Sequence, residues 1–274
     1  MIVPIFVESL EHPELAPFRT LRRSVEHRRQ GVFVAEGGAV VQRLLATDLK
    51  VRALLLSPAW LERLTPALAA RPQRPAVFVA EHHVLERLVG FPLHQGVMAL
   101  ARIPPPQPLE AILEGALHPW LLLALDDVTN TENTGTMVRS AAAFGATAVI
   151  AGETCASPWL RRAVRASMGA VFALPIVESM DLAATLKELC RRGVLCLAAT
   201  PHATLSVSQV RLTVDCCLVV GHEGRGIRPP VQAACSGAVA IPMASGIDSL
   251  NVAAAAAVLL YEGSRQRALA EVRE

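Results

Sequence analysis

Apolar and polar positions recur along the chain in two different periods, and each period predicts its own kind of element. Short, nearly unbroken apolar runs lie at Leu121–Leu125, Ala146–Ile150, Leu174–Val177, Val194–Ala198, Cys217–Val220 and Ala238–Ile241, with helical patterns between most of them. A run of that length without polar interruption predicts a strand buried on both faces. Its alternation with helices predicts a parallel sheet between two helical layers. Upstream, the pattern predicts a basic helix over about 14–29, a strand near Val32–Ala35 and a helix near Gly38–Ala46. A strand near Val51–Leu56, a helix near Trp60–Ala69, a strand near Ala76–Val79, a helix over Glu81–Leu88 and a last strand near Gly96–Ala101 follow.

The segment Ile103–Pro104–Pro105–Pro106–Gln107–Pro108 separates these two regions. Prolines stiffen the backbone and remove its donors, which suits a connector. The expected organisation is a small α/β sandwich over residues 1–103, a proline-rich linker over 104–110 and a larger α/β domain over 111–274.

Composition narrows the classes. Of 274 residues, 52% are hydrophobic and 18% charged, which excludes a disordered chain and supplies a large core. With a net charge of +2, any affinity for nucleic acid must come from local clusters. Arg19, Arg22, Arg23, Arg28 and Arg29 form one such cluster; it suits phosphate contacts as well as an ordinary solvated helix face. The cysteines Cys155, Cys190, Cys196, Cys216, Cys217 and Cys235 show no CxxC spacing and read as buried free thiols, so no metal site is expected. Met1–Val7 lacks a basic flank and a small-residue cleavage site. The apolar stretch Val252–Leu260 is far shorter than the ~20 residues of a membrane span, so a soluble, cytoplasmic protein is expected.

Three loops carry the candidate chemistry. Asp126–Asp127–Val128–Thr129–Asn130–Thr131–Glu132–Asn133–Thr134–Gly135 joins an apolar strand to an alanine-rich helix that bears Arg139. Turns of this kind expose backbone N–H groups, and a guanidinium holds phosphate or carboxylate in a fixed orientation. On plainer grounds Asn133 would cap the helix, and Arg139 would be solvated. Gly221–His222–Glu223–Gly224–Arg225–Gly226 follows another strand; its spacing is GxxGxG, which argues against a dinucleotide loop. The third loop, Ile241–Pro242–Met243–Ala244–Ser245–Gly246–Ile247–Asp248–Ser249–Leu250–Asn251, leads into the last helix, where Asp248 or Ser249 would also serve as an N-cap.

In this order and spacing the loops resemble the three signature motifs of the SpoU/TrmH-type RNA 2′-O-ribose methyltransferases of the SPOUT class, over roughly residues 120–262. The resemblance implies a parallel-sheet catalytic domain with a deep trefoil knot, a feature that general folding rules disfavour. It also implies an active site containing Asn133, Arg139, Glu223, Ser249 and Asn251, and main-chain recognition of S-adenosylmethionine at Gly221, Ile241 and Leu250. A homodimer whose two subunits build each site is expected as well, with Ala253–Ala257 in its interface. Arg139 would grip an RNA phosphate and orient the 2′-hydroxyl, while phosphate, water or Arg139 itself takes the proton. Asp127, Asn130 and Thr131 depart from the Gly, Asp and Pro usual in the family, which bears on the geometry of the turn before Asn133. His222 stands where a small or amide residue is more usual.

Arg161–Arg162–Ala163–Val164–Arg165–Ala166–Ser167–Met168–Gly169–Ala170 resembles a further family helix and turn, with arginines placed to meet RNA or solvent. Gly31–Val32–Phe33–Val34–Ala35–Glu36–Gly37 and His94–Gln95–Gly96–Val97 resemble a ribosomal-protein-like domain thought to grip structured RNA. That domain implies ribosomal RNA, in the large subunit, as substrate. The alternatives are a tRNA 2′-O-methyltransferase and a non-catalytic RNA-binding or ribosome-assembly factor.

Overall fold

A mixed five-stranded sheet organises the first hundred residues in the computed structural model, which describes residues 3–21, 24–90 and 95–271. Its elements are β1 (Pro4–Phe6), α1 (Ala16–Arg19), α2 (Ser24–Arg29), β2 (Val32–Glu36), α3 (Gly38–Leu45) and β3 (Val51–Leu56), then α4 (Pro58–Ala70), β4 (Ala76–Val79), α5 (His82–Val89) and β5 (Val97–Arg102). Strand order is β1-β4-β3-β5-β2, with β5 antiparallel to both β2 and β3. Val32 and Val34 of β2, Ala53 and Leu55 of β3, and Met98 and Leu100 of β5 all enter one core cluster with Leu15 and Phe18. Every second residue faces that side, as the two-residue period of a strand requires.

The basic helix expected over 14–29 is broken. Thr20 donates its N–H to the Pro17 carbonyl at 3.3 Å and ends α1. The buried His27 ring then sits 2.8 Å from the same carbonyl, so the chain turns back on itself. Of the arginine cluster, Arg22 and Arg23 lie outside the described residues, as does His94.

The second sheet has six strands, all parallel. Its elements are α6 (Leu109–Glu114), β6 (Leu121–Leu125), α7 (Thr131–Ala143), β7 (Ala148–Ala151), α8 (Arg161–Ala166) and β8 (Ile176–Glu178), then α9 (Leu182–Arg191), β9 (Leu195–Ala199), β10 (Cys216–Val220), α10 (Pro229–Ala233), β11 (Gly237–Val239) and α11 (Val252–Glu271). Residues 109 and 110, expected in the linker, already belong to α6. The order β11-β9-β10-β6-β7-β8 means that the chain first builds outward from β6 and then fills the other side. The direction of winding reverses between β6 and β10, where Leu125 faces Val220 in register. In open parallel sheets, ligands bind beyond the carboxyl ends of the strands at such a reversal.

The chain divides into two units, and the division is not a single cut. Met1–Pro105 and Trp159–Phe172 form the first unit; Pro106–Pro158 and Ala173–Glu274 form the second. Within the first, Phe33 of β2 meets Trp159 (ring centroids 5.1 Å apart) and Phe172 (5.6 Å). Glu36, only 4% exposed, pairs with Arg161 and Arg165. Two of the arginines expected to face RNA or solvent are therefore engaged by a buried carboxylate.

All six cysteines are free, and Cys196, Cys216 and Cys217 are buried. Among the described residues, no helix is long and apolar enough to cross a membrane, and no group of three His, Cys, Asp or Glu side chains could hold a metal ion.

Candidate active site

The two loops that leave β6 and β10 start side by side at the reversal point. Asp126 continues the ladder, donating its N–H to the Val220 carbonyl at 2.8 Å. Four residues on, Asn130 caps α7: its Oδ1 accepts the N–H groups of Glu132 (2.8 Å) and Asn133 (3.3 Å). With the cap supplied by Asn130, the Asn133 side chain is left to reach across the site.

It reaches both other loops. Asn133 donates through Nδ2 to Glu223 Oε1, and its Oδ1 accepts from Asn251 Nδ2 at 3.3 Å. Asn251 is also the cap of α11, accepting from the N–H groups of Ala253 (3.0 Å) and Ala254 (3.4 Å). Neither Asp248 nor Ser249 performs the capping their residue types suggested. One residue from each of three distant loops thus joins a single hydrogen-bonded chain.

The β10 loop is shaped by backbone crowding. His222 and Gly226 exchange N–H···O bonds of 3.0 and 2.8 Å, closing a tight turn. A Cβ on Gly221 would lie 2.4 Å from the Gly226 carbonyl carbon and 2.5 Å from Ile227 N, so only glycine fits. The His222 ring folds over this turn, its Nδ1 accepting from Gly224 N at 2.9 Å and Arg225 N at 3.3 Å. That gives His222 a structural task in the loop.

Beside these residues a cleft of about 590 Å³ opens between the ends of β9, β10 and β11 and the start of α11. Gly221, Ile241 and Leu250 line it, together with Glu223 and Ser249. Its apolar walls include Val220, Val239 and Val252. Arg139 does not line it. This residue stands exposed on α7 and has no hydrogen-bond or ion-pair partner among the described residues.

A cluster of charges not apparent from the sequence underlies the site. Asp126 is fully buried and accepts from Arg228 N and Nε, both at 2.7 Å. Arg228 Nη2 also lies 2.7 Å from Glu153 Oε1. Burial alone would raise the Glu153 carboxyl, but hydrogen bonds from its own backbone, Arg228 and the Leu182 N–H outweigh it and hold the group below its ordinary value. Asp127, with φ +55°, pairs with Arg225 at 2.6 Å. Cys155 supports the same turn, donating to the Leu125 carbonyl at 3.2 Å and accepting from Val128 N at 3.4 Å. Burial pushes its thiol up to about 11, so it stays protonated. Residues 102 positions apart, as in Asp126 and Arg228, leave no periodic signal in the sequence.

Residues 120–261 match the model of the SpoU rRNA Methylase family. The chain belongs to the SpoU methylase family. Likeness to other SpoU proteins extends beyond the matched stretch. The chain is 36% identical over 269 residues to an uncharacterized tRNA/rRNA methyltransferase of Mycobacterium tuberculosis, covering 93% of this chain and 90% of that protein. It is 37% identical over 179 residues to the 23S rRNA (guanosine-2′-O-)-methyltransferase RlmB of Photobacterium profundum, covering 64% of this chain and 72% of that one. Among solved structures, the SpoU methyltransferase AviRb from Streptomyces viridochromogenes in complex with AdoMet superposes with a TM-score of 0.79, at 25% identity over 93% of this chain and 99% of that one. As a SpoU methylase, the protein is an RNA 2′-O-methyltransferase with S-adenosylmethionine as methyl donor. The cleft fits that donor: its size lies in the ordinary ligand range, and it combines apolar walls with the main chain of a glycine-rich turn.

Proposed function

We propose that the protein methylates a ribose 2′-hydroxyl of ribosomal RNA, in the large subunit, with the cleft at β9–β11 as cofactor site. The convergence of Asn133, Glu223 and Asn251 beside that cleft carries this reading. In it, the main chain at Gly221, Ile241 and Leu250 holds S-adenosylmethionine, whose sulfonium supplies an electrophilic methyl group. Recognition through backbone tolerates the side-chain departures seen in the β6–α7 turn.

The protein's own task is then alignment and the handling of one proton. A guanidinium is a poor general base, so the role given to Arg139 is electrostatic: it grips an RNA phosphate and orients the hydroxyl. Hydrogen bonds from Asn251 to Asn133 and from Asn133 to Glu223 hold Glu223 at the cleft wall, which Ser249 also lines. The first unit grips structured RNA. A trefoil knot and a cytoplasmic homodimer complete the reading; for the dimer, α11 leaves Val258 (41%) and Tyr261 (55%) exposed. The named function of RlmB supports ribosomal RNA over tRNA.

The test is transfer of labelled methyl from S-adenosylmethionine to unmodified large-subunit rRNA, small-subunit rRNA and bulk tRNA in parallel. Label at one alkali-resistant ribose of large-subunit rRNA is expected. Label confined to tRNA would keep the chemistry and overturn the substrate.

A further inference from the structure

Two consecutive carboxylates open the turn after β6, and they reach two arginines three positions apart at the β10 loop and its end. The inner one, Asp126, is fully buried and binds Arg228, which also meets Glu153. The outer one, Asp127, binds Arg225, whose side chain is 69% exposed at the cleft wall. Asp127 adopts the left-handed region at φ +55°, which aspartate tolerates better than most residues with a side chain.

We infer that Asp127 and Arg225 are positioning residues that hold the β10 loop in its cofactor-binding shape, working outward from the buried Asp126–Arg228–Glu153 anchor. This rests on the reading of the cleft as the S-adenosylmethionine site. Among the described residues, the loop between Gly221 and Ile227 is otherwise held by the His222–Gly226 bridge, the His222 ring and the Asn133–Glu223 hydrogen bond, while Gly224 is exposed. The outer pair ties the tip of this loop to the turn that leads into Asn133. An ion pair whose arginine stays in solvent adds little to global stability. Without it, the loop tip gains freedom that binding must remove, so the loss falls on cofactor affinity. Saturating cofactor restores the ordered loop, so kcat holds while KM rises.

The test is calorimetric titration of S-adenosylmethionine into the full chain and its Asp127→Asn, Arg225→Gln, Arg225→Lys and Asp127→Asn/Arg225→Gln variants, with thermal melting alongside. Asparagine tolerates left-handed φ as well as aspartate does, so Asp127→Asn removes the charge and spares the backbone. Expected is a weakening of about two- to fivefold in each single loss variant, with the melting midpoint unchanged. The double variant should bind no worse than either single one, and Arg225→Lys should stay near wild type. Thr200→Trp, which puts a large ring into the cleft from a residue outside both pairs, tests the cofactor site separately. If it blocks binding while Asp127→Asn and Arg225→Gln bind normally, the positioning role is wrong and the site stands. If it binds like wild type, the cofactor site lies elsewhere and the inference falls with it. A fall in melting midpoint that parallels the lost affinity would make the pair structural and likewise overturn the proposal.

Discussion

Arg139 sits on the same helix as Asn133, about 9 Å further along its axis at 1.5 Å per residue, yet the two are bound very differently. Asn133 is tied to two other loops, whereas Arg139 is exposed and unpaired among the described residues. A side chain that supports nothing in the fold can be removed cleanly. Arg139→Ala is expected to lower methyl transfer more than about a hundredfold, as for other lost charge-stabilising donors, with the thermal midpoint unmoved. Unchanged turnover would take Arg139 out of the chemistry. Asp126 is the opposite case: every contact it makes is internal, so Asp126→Asn should cost about 3 kcal/mol in urea denaturation, because Arg228 loses its buried counter-charge. A cost below about 1 kcal/mol would mean that Glu153 suffices alone. At this scale three residues that the sequence singles out, Asn133, Glu223 and Asn251, come together in the structure, each from a loop that carries its own pattern. The sequence misled where several residues of similar chemistry compete for one task. Asn130 took the cap available to Asn133, and Asn251 took the one available to Asp248 and Ser249.

Elements follow the hydrophobic pattern where burial alone decides them. β6 spans Leu121–Leu125 because both its faces are covered, so no polar position is tolerated. The break between α1 and α2 escaped the pattern because a tertiary contact causes it, the His27 ring on the Pro17 carbonyl. The β10 loop shows how an element can depend on the absence of one carbon. Gly221→Ala would put a Cβ 2.5 Å from the Gly226 carbonyl oxygen, and backbone cannot swing aside as a long side chain does. Loss of S-adenosylmethionine binding by calorimetry, with a lower melting midpoint, is expected. Gly237→Ala is the control, since its Cβ would meet only Leu197 Cδ2 at 3.8 Å. If both variants bind alike, the close approach is not what shapes the loop.

For the whole molecule, alternating runs in the sequence declared a parallel sheet but not its strand order. The reversal between β6 and β10 is a property of the assembled sheet, and it decides where three loops can meet. The proline run at 103–108 likewise declared a division, but not that Trp159–Phe172 returns to the first unit. A fragment of residues 1–105 would leave Phe33 without Trp159 and Phe172, and Glu36 without its two arginines. Such a fragment is expected to be cut rapidly by protease, and a peptide of residues 159–172 should slow the cutting; equal resistance with and without the peptide would refute this. On the ribosome the same arrangement separates the order of synthesis from the order of completion. The amino-terminal sheet is made first, yet it must wait, with one flank open, until β6 and β7 have been translated and Phe172 has left the exit tunnel.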